Sequence, residues 1–196
     1  GDNPRFLDAD FAAAHFVEPC IKGLGPKAGP IVFQFSPLGG SIVRDPARFA
    51  ARLHRFLDAL PVGPLYAIEL RDSGLLGAPL AAALGATRAR YCFGVYSRMP
   101  DIAAQASAMA GLVPGPLVAR WNLHAGYAYA AAKAHYAPFD RLVDEDPATR
   151  GALAAQCCET LSAGHPVFVI ANNKAEGSAP LTLIKLGQAV VAGVAA

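Results

Sequence analysis

Charge is what this sequence has least of. Asp, Glu, Lys and Arg make up 16% of its 196 residues, against roughly 25% in an average globular chain. With 54% hydrophobic residues the chain is not of the disordered class, and it suits one domain with a sizeable core. Long apolar runs are also missing. None reaches the roughly 18 residues that would announce a membrane span. The longest candidate, residues 181–196, is interrupted by Lys185 and Gln188 and reads as a packed helix. The opening GDNPRF lacks a basic-then-apolar signal pattern. A first residue that is Gly1, not methionine, is expected of a processed, trimmed or incomplete chain.

Several chemical signatures are absent as well. The four cysteines, Cys20, Cys92, Cys157 and Cys158, form no CxxC pair and have no histidines at zinc spacing. They read as small buried hydrophobes in a reducing compartment, so the protein is expected to be cytoplasmic, with no metal and no cofactor. No G-x-S-x-G elbow surrounds Ser36 or Ser178, which leaves a nucleophilic serine without support. The net charge of +2 gives no strong field for nucleic acid or a membrane surface. Arg48, Arg52 and Arg55 fall on one helical face; a solvated face is the first reading and a phosphate-backbone contact the second.

What is present is alternation. IVFQF (31–35), LYAIELR (65–71), YCFGVY (91–96), LVARWNL (117–123) and VFVIAN (167–172) are short, bulky and β-prone. Helical patterns stand around and between them, at residues 8–18, 75–84, 102–112, 149–163 and 181–191. Another carries Phe49, Leu53, Phe56 and Leu57 on one face after the start signal Asp45-Pro46. Strands alternating with helices predict a parallel sheet of βα units. The connection 124–147 is long, and its YAYAAAKAHY predicts an extra helix over the site.

Side-chain parity then points to a barrel. Tyr66, Ile68 and Leu70 share one face and suit helices, whereas Ala67, Glu69 and Arg71 share the other. Val118, Arg120, Asn122 and His124 form a similar set, as do Val32, Gln34 and Ser36. An open doubly wound sheet has no lumen for such residues. A barrel does, with its site at the carboxyl ends of the strands.

Four segments carry a family likeness. LGPKAGPIVFQFSP (24–37), YAIELR (66–71), VARWNL (118–123) and VIANNKAEGSAP (169–180) together resemble the YecE-like proteins, known as domain of unknown function 72. The resemblance implies a β/α barrel of the triosephosphate-isomerase type, with no established activity or cofactor. Nuclease-like and sugar-isomerase-like functions have been inferred for such barrels from fold similarity alone. The family's opening strand and its next two βα units have no counterpart here. The resemblance therefore implies a partial barrel, the last five units, as a single domain over residues 1–196. A truncated barrel of this kind is open to oligomerisation.

Glu69 is the candidate for chemistry. Near the guanidinium groups of Arg71 and Arg120, its ionised carboxylate suits a base or a ligand-holding role better than a general acid. The alternative is an ion-pair network that fills the lumen without chemistry. Gln34 is placed to orient Glu69 or a ligand, or simply to satisfy the core. Arg120 can grip a carboxylate or phosphate in bidentate fashion. His124 shares the face of Arg120, but Glu69 and His124 alone are too few ligands for zinc.

The segment NNKAEGSAP ends the last strand. Asn172, Asn173 and Lys174 are expected at the barrel mouth, Gly177 at a turn, and Ser178 as the N-cap of the final helix. Barrel proteins frequently hold phosphate there, so a small polar or anionic ligand is the expected partner. The competing reading is that Asn172, Asn173 and Glu176 only tie the loop to its neighbours. An enzyme for a small polar, phosphorylated or glycosidic substrate and a non-catalytic anion or nucleic-acid binder both remain open.

Overall fold

The computed structural model of the protein describes residues 3–124 and 127–195. The five β-prone segments form β1 (Ile31–Gln34), β2 (Tyr66–Glu69), β3 (Arg90–Val95), β4 (Leu117–Trp121) and β5 (Val167–Ala171). All neighbours are parallel and the spatial order follows the chain, β1-β2-β3-β4-β5. The result is a curled half-barrel sheet with helices around it, an α/β fold. Among the described residues β1 pairs with β2 alone and β5 with β4 alone, so each has one unpaired edge.

Helices follow from local signals. The chain enters through α1 (Ala9–Ala12), which continues through a π-helical turn (Ala13–Val17) into α2 (Glu18–Leu24). The short α3 (Gly40–Val43) precedes α4 (Pro46–Asp58). Asp45 caps α4 by accepting from the Arg48 N–H, and Pro46 sits in the first turn, where its missing donor costs nothing. Then come α5 (Ala78–Thr87), α6 (Ile102–Ala108), α7 (Tyr129–Tyr136), α8 (Pro147–Ser162) and α9 (Ala179–Val194). Asp101 and Asp146 cap α6 and α8 in the same manner as Asp45. Helix α5 starts three residues later than its apolar pattern predicts, because Gly77 (φ +135°) interrupts the helical path. Helix α7 lies where an extra helix is expected; residues 125 and 126 of that connection lie outside the described residues.

Two apolar clusters hold the helices to the outer face. Tyr66, Ile68 and Leu70 meet Phe49, Leu53, Phe56 and Leu57 of α4, as strand and helix periodicity require. Each such side chain contributes about 1.5–3 kcal/mol on burial. Trp121, Leu153 and Leu186 anchor β4, α8 and α9 in a second cluster. On the inner face Ala67, Cys92 and Val118 are fully buried, with Val32 and Phe168 against them. They make an apolar floor, and the polar residues stand above it.

Candidate functional site

One residue pair sets the next layer up the lumen. Gln34 is in register with Glu69 across β1 and β2, while Gly94 is in register with Arg120, and Arg120 with Ile170, across β3, β4 and β5. The inward faces are those that period-two alternation assigns. Glu69 is fully buried, and its Oε1 forms a 2.5 Å salt bridge with Arg71 Nη2. Its Oε2 accepts from Arg120 Nη1. Asn122 Nδ2 donates to Glu69 Oε1 at 3.2 Å. Arg71 reaches towards Gln34 Oε1 at 3.5 Å, and its guanidinium lies over the Tyr96 ring at 4.1 Å.

Gly94 explains how a long carboxylate fits here. A Cβ built on it would stand 3.8 Å from both Glu69 Cγ and Oε1, so the Glu69 side chain runs across this glycine. The strand is fixed at that point by Gln105, which is completely buried. Gln105 Nε2 donates to the Gly94 and Pro100 carbonyls, and its Oε1 accepts from Gly94 N–H and the Tyr91 hydroxyl. Below Glu69, the Cys92 thiol is pushed well above its usual range by burial and then by the Glu69 charge. Tyr91 is raised for the same first reason.

Above the layer is a cavity of about 310 Å³, lined by Gln34, Ser36, Pro37, Arg71, Tyr96, Arg120, Asn122, Leu123 and Asn172. It stands at the carboxyl ends of the strands, where α/β proteins place their ligands. Four expected site residues, Gln34, Arg71, Arg120 and Asn172, line it, with Glu69 beneath. Asn122, Tyr96 and Ser36 join them. Parity had put Asn122 and Ser36 on the inner face, but only the contact geometry gives them a place in the cavity.

The segment after β5 behaves differently. Asn172 N–H donates to the Trp121 carbonyl, and its Oδ1 accepts from Lys174 N–H (3.1 Å) and Lys174 Nζ (2.8 Å). Lys174, Glu176, Gly177 and Ser178 are buried. Asn173 Oδ1 accepts from the Ala179 N–H at 2.8 Å, so Asn173 caps α9 in place of the expected Ser178, whose side chain makes no capping bond. Gly177 (φ +115°) presses against the Arg141 carbonyl, and Glu176 pairs with Arg150 at 2.5 Å. Thus the helix end expected to meet an anion is held by protein groups, and Asn173, Lys174, Gly177 and Ser178 are not among the cavity residues. His124 donates its N–H to the Lys174 carbonyl and meets the Tyr127 ring edge-on.

A second cluster had no signal in the sequence. Asp144 accepts from the Tyr127 hydroxyl (2.9 Å) and contacts His135 Nε2 (3.0 Å). Tyr127 stacks on His135, and Tyr127 and Tyr136 pack with Leu123 and Tyr96, two cavity residues. This cluster supports the cavity wall from behind. Its members are up to 17 residues apart, and no local pattern joins them.

A curled parallel α/β sheet with buried charge beneath a polar cavity defines the class of protein. The chain belongs to the family described as protein of unknown function DUF72, whose model matches residues 2–195. No curated protein and no solved structure matches it. Among the described residues no helix is long and apolar enough to cross a membrane.

Proposed function

We propose that the protein binds a small polar ligand carrying an anionic group in the cavity over Glu69, and that it is an enzyme for a small polar, phosphorylated or glycosidic substrate. Glu69 is its base or electrostatic residue; Arg71 and Arg120 hold the anionic group; Gln34 and Asn172 orient the ligand. The single observation that carries this reading is the fully buried Glu69 salt-bridged to two arginines that themselves line the cavity. Buried charge is costly, and lumen filling alone does not require it. Asn173, Lys174, Gly177 and Ser178 act in this reading by fixing the strand end beneath Asn172.

The architecture belongs to the same proposal. The half-barrel is an arc of a triosephosphate-isomerase-type barrel within a single domain, and another chain segment or a partner covers the open edges of β1 and β5. Free thiols at Cys20, Cys92, Cys157 and Cys158 fit a cytoplasmic setting. A second reading, anion or nucleic-acid binding without chemistry, draws on the complete burial of Glu69 under its partners.

Inorganic phosphate titrated into the full chain, followed by amide shifts, tests the site. Saturable shifts at Tyr96, Asn122 and Asn172 that vanish in Arg120→Gln are expected. Shifts confined to residues 174–179 would move the site to the end of α9. Turnover that survives salt while phosphate affinity falls separates the enzyme from a backbone binder.

A further inference from the structure

The charges around the cavity do not cancel. Arg71 and Arg120 bring two positive charges, and Glu69, their shared partner, brings one negative charge. One positive charge is left over at the floor. The arginines also keep unused donors. Arg71, whose side chain is 9% exposed, has Nε and Nη1 buried with no hydrogen-bond partner. Arg120 is 29% exposed, and among the described residues its guanidinium has Glu69 as its one hydrogen-bond partner. The Arg71 donors are sealed from the cavity, so the demand for an acceptor there is made by the part-exposed Arg120 guanidinium.

The rest of the lining is neutral and rich in hydrogen-bonding groups. Gln34, Ser36, Asn122 and Asn172 present amides and a hydroxyl. Asn122 uses its Nδ2 on Glu69, which leaves Oδ1 to accept, while Asn172 uses its Oδ1 on Lys174, which leaves Nδ2 to donate. Lys174 is turned to Asn172 and is not a lining residue. Pro37, Leu123, the Tyr96 ring and the side-chain methylenes give the wall about as much apolar as polar surface. Such a wall suits a chain whose C–H faces meet the apolar patches while its hydroxyl groups donate and accept in turn. At about 310 Å³ the space is at the small end for ligand pockets.

Resting on the reading of this cavity as the ligand site, we propose that the ligand is a hydroxylated monoanion, a carboxylate on a polyhydroxyl chain of the sugar-acid kind. The carboxylate meets the surplus guanidinium charge at Arg120. The hydroxyls meet Ser36, Asn122 and Asn172. A phosphate dianion would bring a second charge for which the lining holds no further cation.

Four six-carbon probes separate the parts of this claim: sodium gluconate, sodium hexanoate, sorbitol and glucose 6-phosphate. Each is titrated into the full chain by calorimetry at constant ionic strength, with amide shifts read in parallel. Gluconate is expected to bind at least about tenfold more tightly than each of the others, about 1.4 kcal/mol. In Asn122→Ala the ratio of gluconate to hexanoate affinity is expected to fall towards one. Hexanoate binding as well as gluconate to the wild type would overturn the hydroxyl assignment, and sorbitol doing so would overturn the charge assignment. Tighter binding of glucose 6-phosphate would overturn the monoanion. Each of these outcomes leaves the cavity standing as a ligand site. If no probe moves Tyr96, Asn122 or Asn172, the site reading fails, and this inference with it.

Discussion

Glu69 and Arg71, two residues apart on the same inward face, close a 2.5 Å salt bridge in which the carboxylate has no solvent exposure. Arg120 meets the other carboxylate oxygen from β4, so one acid ties two strands together and leaves one positive charge over. Glu69→Gln leaves both guanidinium groups without a counter-charge. Removing one partner of a buried pair costs about 3–5 kcal/mol, and the partial exposure of Arg120 places this case near the low end. Arg120→Gln should cost less, since Glu69 keeps Arg71. Urea denaturation of the two variants gives the ranking; an unshifted midpoint for Glu69→Gln would mean that the network carries no stability.

Gly177 and Gly187 provide an opposed pair. At Gly177 the backbone has φ +115°, and an added Cβ would come within 2.5 Å of the Arg141 carbonyl oxygen and 3.0 Å of Val143 N. Backbone strain and a contact with main-chain atoms that cannot move aside act together there. Gly177→Ala is expected to destabilise by about 2–4 kcal/mol. At Gly187, within α9, nothing lies within 4 Å of the added methyl group. Gly187→Ala should stabilise by about 0.5–1 kcal/mol. Thermal melts of both variants check the signs, and a neutral Gly177→Ala would refute the tight loop packing.

The strands were legible in the sequence to within a residue or two, because β-prone runs bounded by turn residues have few other fates. Period-two parity also put Gln34, Glu69, Arg120 and Asn122 on one face before any contact was known. Parity assigns a face but not a partner, which is why the sequence alone gives Tyr96 no role although the Arg71 guanidinium lies over its ring. The partners of the loop after β5 are hidden from the sequence for a related reason. Its polar residues look available in sequence, yet Glu176 finds Arg150 26 positions away and Gly177 meets Arg141. Asn173 takes the cap expected of Ser178 because its side chain reaches Ala179 N–H across a turn that local pattern does not specify.

Asp144 ties the segment beyond α7 to the ring cluster behind the cavity. The Tyr127 hydroxyl, and then the His135 charge, hold its carboxyl below the usual carboxylate range. A folded-state value below the unfolded one means that the contribution to stability is fully present at higher pH. It is lost as pH falls from about 3.9, the ordinary Asp value, through the lowered one. Tyr127→Phe removes the largest cause, so the Asp144 carboxyl should titrate closer to its ordinary value. Carbon-detected NMR of the side-chain carboxyl reads this; an unchanged midpoint would remove Tyr127 as the cause.

Thiol chemistry reports on the lumen floor without perturbing it. Cys92 lies directly under the charged layer, fully buried, and burial with the Glu69 charge holds its thiol in the protonated form. Cys157, buried between helices, is pushed up to about 11 by burial. The thiolate is the nucleophile, so at pH 8 Cys157 should react about a hundredfold more slowly than an ordinary thiol, with lack of access slowing it further. Cys20 and Cys158 are only half-buried and should label first. Native protein treated with iodoacetamide and mapped by mass spectrometry is therefore expected to carry label at Cys20 and Cys158 while Cys92 and Cys157 stay unmodified until denaturant is added. Glu69→Gln adds a control, because it removes a charge that opposes ionisation but leaves Cys92 buried. Cys92 should remain protected if that variant keeps its fold. Rapid labelling of Cys92 in the wild type would mean that the lumen floor is open to solvent, and the apolar layer under the charged one would have to be abandoned.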